Sequence, residues 1–386
     1  MINKDNRLFV TLIIVFSLVC LVSYHVEASL SKSELRKIKE FSEDVAIEKG
    51  IGQLIMVGVP GDLLNYSNNK YIKKIIVEYG IGNVFMNSYN YYLSDIDKRS
   101  NEEYLRLVNS FHNYLQSLSM RSSLKVPLLV AADFEGINYT SLPYRLIQPP
   151  AALTLSTTND SGFIRKTGQL VGHQLRAIGV QAIMGPVLDL SVTPDVFNTT
   201  LQNRSFGSNP NTVYNVSSHY IKGLKEGGVK VFGKHYPGLG DIDENPHKDM
   251  PTLTGTIEKL SSYILPYRNL NTKLDGIMTA HVNTAFMEPN QSKPITFSKL
   301  FVKNLVRNEG KIKLHNCKVK GLNMRNQVII TDDLSDMGSI VNYMEKNNND
   351  YSQIALKAFG AGHDLLLFSH INVPGQPQRC KNGTFN

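Results

Sequence analysis

A chain of 386 residues carries material for one large α/β domain or two small ones with a well-buried core. Its formal net charge of +8 makes the surface basic, but no Lys/Arg block is interleaved with aromatic residues, which argues against nucleic-acid binding. What is left is a milder attraction to an anionic polymer or membrane surface.

At the N-terminus Lys4 and Arg7 precede an apolar run, Leu8 to Val22, and Val26-Glu27-Ala28 stands before Ser29. This is the layout of a signal peptide over residues 1–28, leaving a single exported domain, 29–386, in the periplasm or medium. The alternative is an uncleaved membrane anchor, for which the run is short. Cys20 lies inside the run. Export would permit Cys317 and Cys380 to pair, a question the sequence leaves open, and no Cys/His spacing suits zinc.

A charged helical stretch, Ser31 to Lys49, leads into Ile51 to Gly58, a continuous apolar run that reads as a strand buried on both faces. Gly82 to Met86 is a second such run. Apolar residues from Tyr104 to Leu118 recur at helical spacing, with Ser100 and Glu103 as a capping box. A third strand, Pro127 to Asp133, ends in Asp133-Phe134-Glu135-Gly136. Then follow a helix Ser161–Ile178, a strand Ala182–Asp189, a helix Val213–Leu224, a strand Gly228–His235 and a helix Ile257–Leu270. The strand Gly276–His281, a helix capped by Ser298 and running through Val306, and the strands Gln327–Thr331 and His363–Phe368 complete the series.

Strands alternating with helices and ending in polar residues point to an α/β fold of (β/α)₈ TIM-barrel type, with chemistry at the strands' C-terminal ends. A doubly wound open sheet is the alternative, but Gly58-Val59-Pro60-Gly61 makes a poor phosphate loop. The chemistry concentrates in Lys234 to Pro251, where Asp241, Asp243, Glu244, His247 and Asp249 sit among glycines and prolines. A segment of that composition reads as an exposed active-site loop rather than core.

In order along the chain, Ile51-Gly52-Gln53-Leu54, Asp133-X-Glu135-Gly136, Gly185-Pro186-Val187-Leu188-Asp189, Arg204-Ser205-Phe206-Gly207, Lys234-His235-Tyr236-Pro237-Gly238-X-Gly240-Asp241 with His247, Met278-Thr279-Ala280-His281 and Thr331-Asp332-Asp333-Leu334 resemble glycoside hydrolase family 3. The resemblance is to its single-domain β-N-acetylhexosaminidase branch and covers roughly residues 45 to 370. It implies retaining hydrolysis of a β-linked N-acetylglucosamine from a glycan such as a peptidoglycan or chitin fragment, by a monomer with no metal or organic cofactor.

Under that resemblance Asp332 is the nucleophile, with Asp333 the better candidate for a helix N-cap, and His247 is the general acid/base. Imidazole suits that task because its ordinary pKa lies near 6.5. Asp133, Arg204, Lys234, His235 and His281 take sugar-binding roles. Asp133 and Arg204 have a structural ion pair as their alternative, and His281 simple packing.

The pattern is also broken in places. Asn245 stands where the family has an aspartate that orients the acid/base histidine; it can still accept a hydrogen bond from the ring but brings no charge. Leu239 replaces a histidine, and Phe134, Ile137 and Asn138 interrupt the third-strand motif. Between Arg307 and Thr331 the chain is longer than the family pattern, an expected surface excursion opposite the active site. After Phe368, Pro374, Gly375 and Pro377 leave no helix to cover the last strand. A β-glucosidase of the same family and a degenerate sugar-binding relative are the competing functional readings.

Overall fold

The computed structural model describes residues 47–91, 93, 99–136, 139–143, 145–191, 201–242, 244–253, 256–284, 293–314 and 317–370. The expected signal segment, most of the Ser31–Lys49 helix, Asp243, Cys380 and the chain after His370 lie outside them.

Each of the eight apolar runs is a strand: β1 Ile55–Gly58, β2 Asn83–Met86, β3 Leu129–Ala132, β4 Ala182–Val187, β5 Lys230–Tyr236, β6 Gly276–Thr279, β7 Val328–Thr331 and β8 Leu366–Phe368. All pair in parallel in the order β7-β6-β5-β4-β3-β2-β1-β8, and a parallel bridge between Ile330 and Leu365 joins the two ends. The sheet therefore closes on itself as a (β/α)₈ barrel, and the open doubly wound alternative falls away.

Strand periodicity explains why the runs are continuously apolar. Met56, Phe85, Met184, Phe232, Met278 and Ile330 pack inside the barrel, while Val57, Val84, Val130, Ile183, Val231 and Ile329 face the helices. Both faces are buried, so both need apolar side chains.

Helix α1, Asn101–Ser119, carries the expected capping box: Ser100 Oγ accepts the Glu103 N–H, and the Glu103 carboxylate accepts the Ser100 N–H at 2.8 Å. Helices α2, Ser161–Ala177, and α3, Pro210–Glu226, cross so closely that a Cβ at Gly223 would meet the Arg165 carbonyl at 2.0 Å. The single helix expected over Ile257–Leu270 is two, α4 Ile257–Tyr263 and α5 Leu265–Asn269. Pro266 lacks the N–H that a continuous helix needs, and Ile264 becomes the start of a second one. The helix capped by Ser298 is present, with Ser298 Oγ accepting the Phe301 N–H at 3.4 Å, but its turns over Leu300–Leu305 are widened. Helices α6, Gly338–Lys346, and α7, Tyr351–Ala361, follow β7.

The excursion before β7 is an antiparallel hairpin, Lys311–Leu314 with Cys317–Lys320. It leaves the barrel where the strands begin and lies on the outside of α4 and α5, held by Arg268 Nη2 to the Lys320 carbonyl at 2.7 Å and Asn271 Nδ2 to the Leu322 carbonyl at 3.1 Å. Among the described residues no helix is long and apolar enough to cross a membrane.

Candidate active site

At the strands' C-terminal ends lies an open cavity of about 380 Å³, walled by residues from the ends of β2, β3, β5, β7 and β8. Its polar floor is one ion network. Lys234 Nζ, on β5, lies 2.6 Å from Asp133 Oδ1 and 2.6 Å from Glu135 Oε1. Arg204 closes on the same Glu135 with Nε at 2.7 Å and Nη2 at 2.8 Å, and its guanidinium stands 4.8 Å from the Tyr139 ring centre.

Burial alone would push the Glu135 carboxyl up, but Lys234 and Arg204 outweigh it and hold the group well below the usual carboxylate range. Burial likewise works against the Lys234 ammonium, and Asp133 with Glu135 more than offsets it, leaving its pKa raised. The Lys234 and Glu135 side chains are 3% and 8% exposed, and Asp133 is 34% exposed. Asp133 is thus the most exposed member of the network, with Lys234, Glu135 and Arg204 more deeply set. The ion pairs shown are Arg204 with Glu135 and Lys234 with Asp133, whereas the alternative considered for Asp133 and Arg204 was a pair with each other; Glu135 was quoted in its motif without a task.

Lys234 and His235 were expected both to end a strand and to open an exposed loop continuing through Tyr236; all three are buried in β5, so the exposed part of the loop starts later. They are tolerable there because each polar group is satisfied. For His235 the partner is Asp189, fully buried after β4. Its carboxylate lies 2.7 Å from His235 Nδ1 and accepts the backbone N–H of His235 at 3.1 Å and of Leu239 at 3.0 Å. One carboxylate therefore orients the ring and pins the turn that follows.

Asp332 follows β7 directly and lines the cavity. Its backbone N–H donates to the Thr279 carbonyl at 3.0 Å and its Oδ1 accepts the Asp333 N–H at 2.8 Å, so the carboxylate is held in one orientation. Asp333 is not a helix cap, because α6 starts at Gly338. It is a buried clasp whose Oδ1 accepts from Ser335 N at 3.1 Å, Ser335 Oγ at 2.5 Å and Ser369 N at 2.7 Å.

His247 is exposed on the far side of the cavity, between the buried Pro246 and the exposed Lys248. The loop that carries it is tied down on both flanks. Asp241 accepts from Lys259 Nζ and Tyr263 Oη of α4, each at 2.7 Å, while Ser339 N and Gly338 N of α6 donate to the carbonyls of Pro246 and His247 at 3.1 and 3.3 Å. Asn245 Oδ1 accepts the backbone N–H of His247 at 2.9 Å. The ring acceptor expected of Asn245 is thus spent on shaping the turn. Glu244 accepts its neighbour's N–H at 2.8 Å and Asp249 bonds Met250 N and Asn342 Nδ2 at 2.8 and 3.0 Å, so these carboxylates too serve the loop backbone and α6.

His281 does not line the cavity. It is 1% exposed, with Nδ1 2.7 Å from Thr296 Oγ1 and Nε2 3.0 Å from the Asp333 carbonyl. Burial lowers its pKa despite the neighbouring carboxylates, so it is a neutral packed histidine behind the Asp332 turn.

Sequence reading missed His370, which follows β8 and lines the cavity beside Asp336 and Asp333. Its Nδ1 is 3.2 Å from Asp336 Oδ2, 3.8 Å from Asp333 Oδ2 and 2.9 Å from Ser369 Oγ. Burial would lower this imidazole, but the two carboxylates bring it to about 9, and Asp333 is correspondingly held low. A polar pair directly after an apolar strand, Ser369-His370, was the available signal.

The family model for the glycosyl hydrolase family 3 N-terminal domain matches residues 46–384. A β-hexosaminidase of Idiomarina loihiensis is 29% identical over 64% of this chain and 68% of its own length, and one of Actinobacillus pleuropneumoniae is 30% identical over 67% and 71%. Among solved structures, a family 3 β-N-acetylglucosaminidase from Paenibacillus superposes with a TM-score of 0.70 at 26% identity, covering 85% of this chain and 55% of that longer one. A β-N-acetylhexosaminidase from Beutenbergia cavernae shares the fold, with a TM-score of 0.67 at 23% identity over 84% and 88%. Barrel, strand-end site and match over nearly the whole described chain agree: the chain belongs to glycosyl hydrolase family 3.

Proposed function

We propose that the chain is a retaining β-N-acetylhexosaminidase that releases terminal β-linked N-acetylglucosamine, from peptidoglycan or chitin fragments, as an exported enzyme. The observation that carries this reading is the convergence on one cavity of Asp332, His247 and a charged floor of Asp133, Arg204, Lys234 and His235. The names of the β-hexosaminidase relatives support the substrate class.

In this reading the sugar's hydroxyls meet Asp133 and the cations behind it, which fix the ring over Asp332. The Asp332 carboxylate attacks the anomeric carbon as His247 gives a proton to the departing oxygen. Water activated by the same imidazole then cleaves the glycosyl ester, and Asp332 leaves as carboxylate. No step needs a metal or an organic cofactor.

One observation favours the degenerate reading: Asn245 holds the His247 backbone rather than its ring, so no carboxylate at that position charges the imidazole. Release of nitrophenol from 4-nitrophenyl N-acetyl-β-glucosaminide, with the β-glucoside in parallel, separates the possibilities. We expect turnover of the N-acetyl substrate, abolished by Asp332→Asn. Asn245→Asp keeps the oxygen that accepts the His247 N–H and should raise kcat. Turnover of the glucoside alone would make the chain a β-glucosidase, and saturable sugar binding without turnover would make it the degenerate relative.

A further inference from the structure

The hairpin Lys311–Leu314 with Cys317–Lys320 takes no part in the cavity, and its chemistry is unlike the rest of the surface. Its register pairs Lys311 with Lys320, Ile312 with Val319 and Lys313 with Lys318. Because side chains alternate along a strand, the four lysines share one face, and Ile312 and Val319 share the other. The apolar face is turned inward: Val319 is 1% exposed and Ile312 packs on the main core. Lys311, Lys313, Lys318 and Lys320 are all exposed. Four ammonium groups therefore stand outward on one small rectangle, about 5 Å across the strands and about 7 Å along them at the Cβ positions.

Like charges directly opposite one another destabilise a hairpin, and here both lysine pairs are opposed. Among the described residues no ion pair relieves them: Asp364 is paired with Arg307, and Glu309 lies 3.6 Å from Arg325. The inward face already explains how the hairpin packs, so the lysines are not needed to hold it. Their complement is an anionic partner outside the molecule.

We infer that this face docks the protein on an anionic phospholipid surface. Three features favour a bilayer over a threaded polymer. The face is a two-stranded outer surface and not a groove. It has no aromatic side chain among its lysines on which bases or sugar rings could stack. In the alternative where the apolar run Leu8 to Val22 stays attached as an uncleaved anchor, it supplies a first hydrophobic contact with the same surface. A single weak hydrophobic element gives only marginal attachment, and a polybasic patch is the usual second contact. Docked through the hairpin on the outside of α4 and α5, the protein keeps its cavity clear, since none of the four lysines lines it.

The test is co-sedimentation of the full chain with vesicles of phosphatidylcholine alone and of phosphatidylcholine with phosphatidylserine. Each lysine near such a surface is worth about fivefold in partitioning before screening. We expect salt-sensitive binding to the anionic vesicles, reduced at least ~20-fold when Lys311, Lys313, Lys318 and Lys320 are all changed to Gln. Attachment by the N-terminal run is common to both proteins and both vesicle types, so it cancels. A control with Lys73, Lys166, Lys222 and Lys299 changed to Gln has the same net charge and should bind nearly as the parent does. Removing opposed charges should leave the melting temperature equal or higher, which confirms that the variant is folded. Equal loss in the control, or none in the hairpin variant, overturns the inference, as does binding to dextran sulfate with no preference for anionic vesicles.

Discussion

Replacing Glu135 with Gln removes the carboxylate that Lys234 meets at 2.6 Å and Arg204 at 2.7 Å. Both cations would stay behind in a buried place with one charge fewer to balance them. We expect a loss of about 3–5 kcal/mol in urea unfolding, with weaker substrate binding on top. The sequence showed the participants more readily than their pairings. Asp133, Lys234, His235 and Asp332 stood out as polar groups at the ends of apolar strands, and Arg204 through the family-like Arg204-Ser205-Phe206-Gly207 motif. That Glu135 and Asp189 hold the others in place depends on where neighbouring strands bring them, and no spacing along one chain encodes that. His281 shows the converse: it also follows a strand, but its ring turns under the Asp332 turn instead of into the cavity.

Between elements, the position of His247 depends on the start of α6. A Cβ on Gly338 would come within 2.4 Å of the Lys248 carbonyl and 2.6 Å of the His247 carbonyl. Gly338→Ala must therefore push the loop off the helix while leaving Asp332 untouched. If His247 is the proton donor, kcat should fall by roughly 10- to 100-fold with little change in KM, because a misplacement near 1 Å is costly when a proton must be transferred. Steady-state kinetics checks this, and an unchanged kcat would remove His247 from the mechanism. The elements themselves were easier to anticipate than their joints. Eight buried strands announce themselves by composition, and α1 by its capping box. The break at Ile264 needed Pro266 to be weighed against an otherwise helical pattern, and the widened turn at Leu300–Leu305 left no mark in the sequence.

The whole molecule should respond to pH from two sides. Burial holds His112 at about 4 and His363 at about 3, and lowers His281 as well. These three are neutral when folded and take up protons when unfolded, so the stability they allow is full above about pH 6.5 and is lost as pH falls toward their folded values. His370 has the opposite sign. Raised to about 9, it contributes fully below about pH 6.5, and that contribution disappears as pH rises through 9. Stability should therefore peak near pH 6.5, falling by up to ~3 kcal/mol per pH unit on the acid side through His112 and His363 together, with His281 acting in the same direction, and more gently on the alkaline side. Urea midpoints measured from pH 4 to 10 would reveal the asymmetry; the range is about that spanned by these groups.

The closure between β7 and β8 rests on the Ile330–Leu365 bridge and a few bonds beside it: Thr331 N to the Leu365 carbonyl at 3.1 Å, Leu367 N to Thr331 Oγ1 at 3.0 Å and Leu334 N to the Leu367 carbonyl at 2.8 Å. Asp333 carries this seam to its rim through Ser369 N. The residue that aligns the Asp332 carboxylate is thus also the last fastening of the cylinder. If Asp332 is the nucleophile, breathing of the barrel at this zipper and idling of its chemistry should be one event, because loosening the β8 edge would also release the carboxylate's aim.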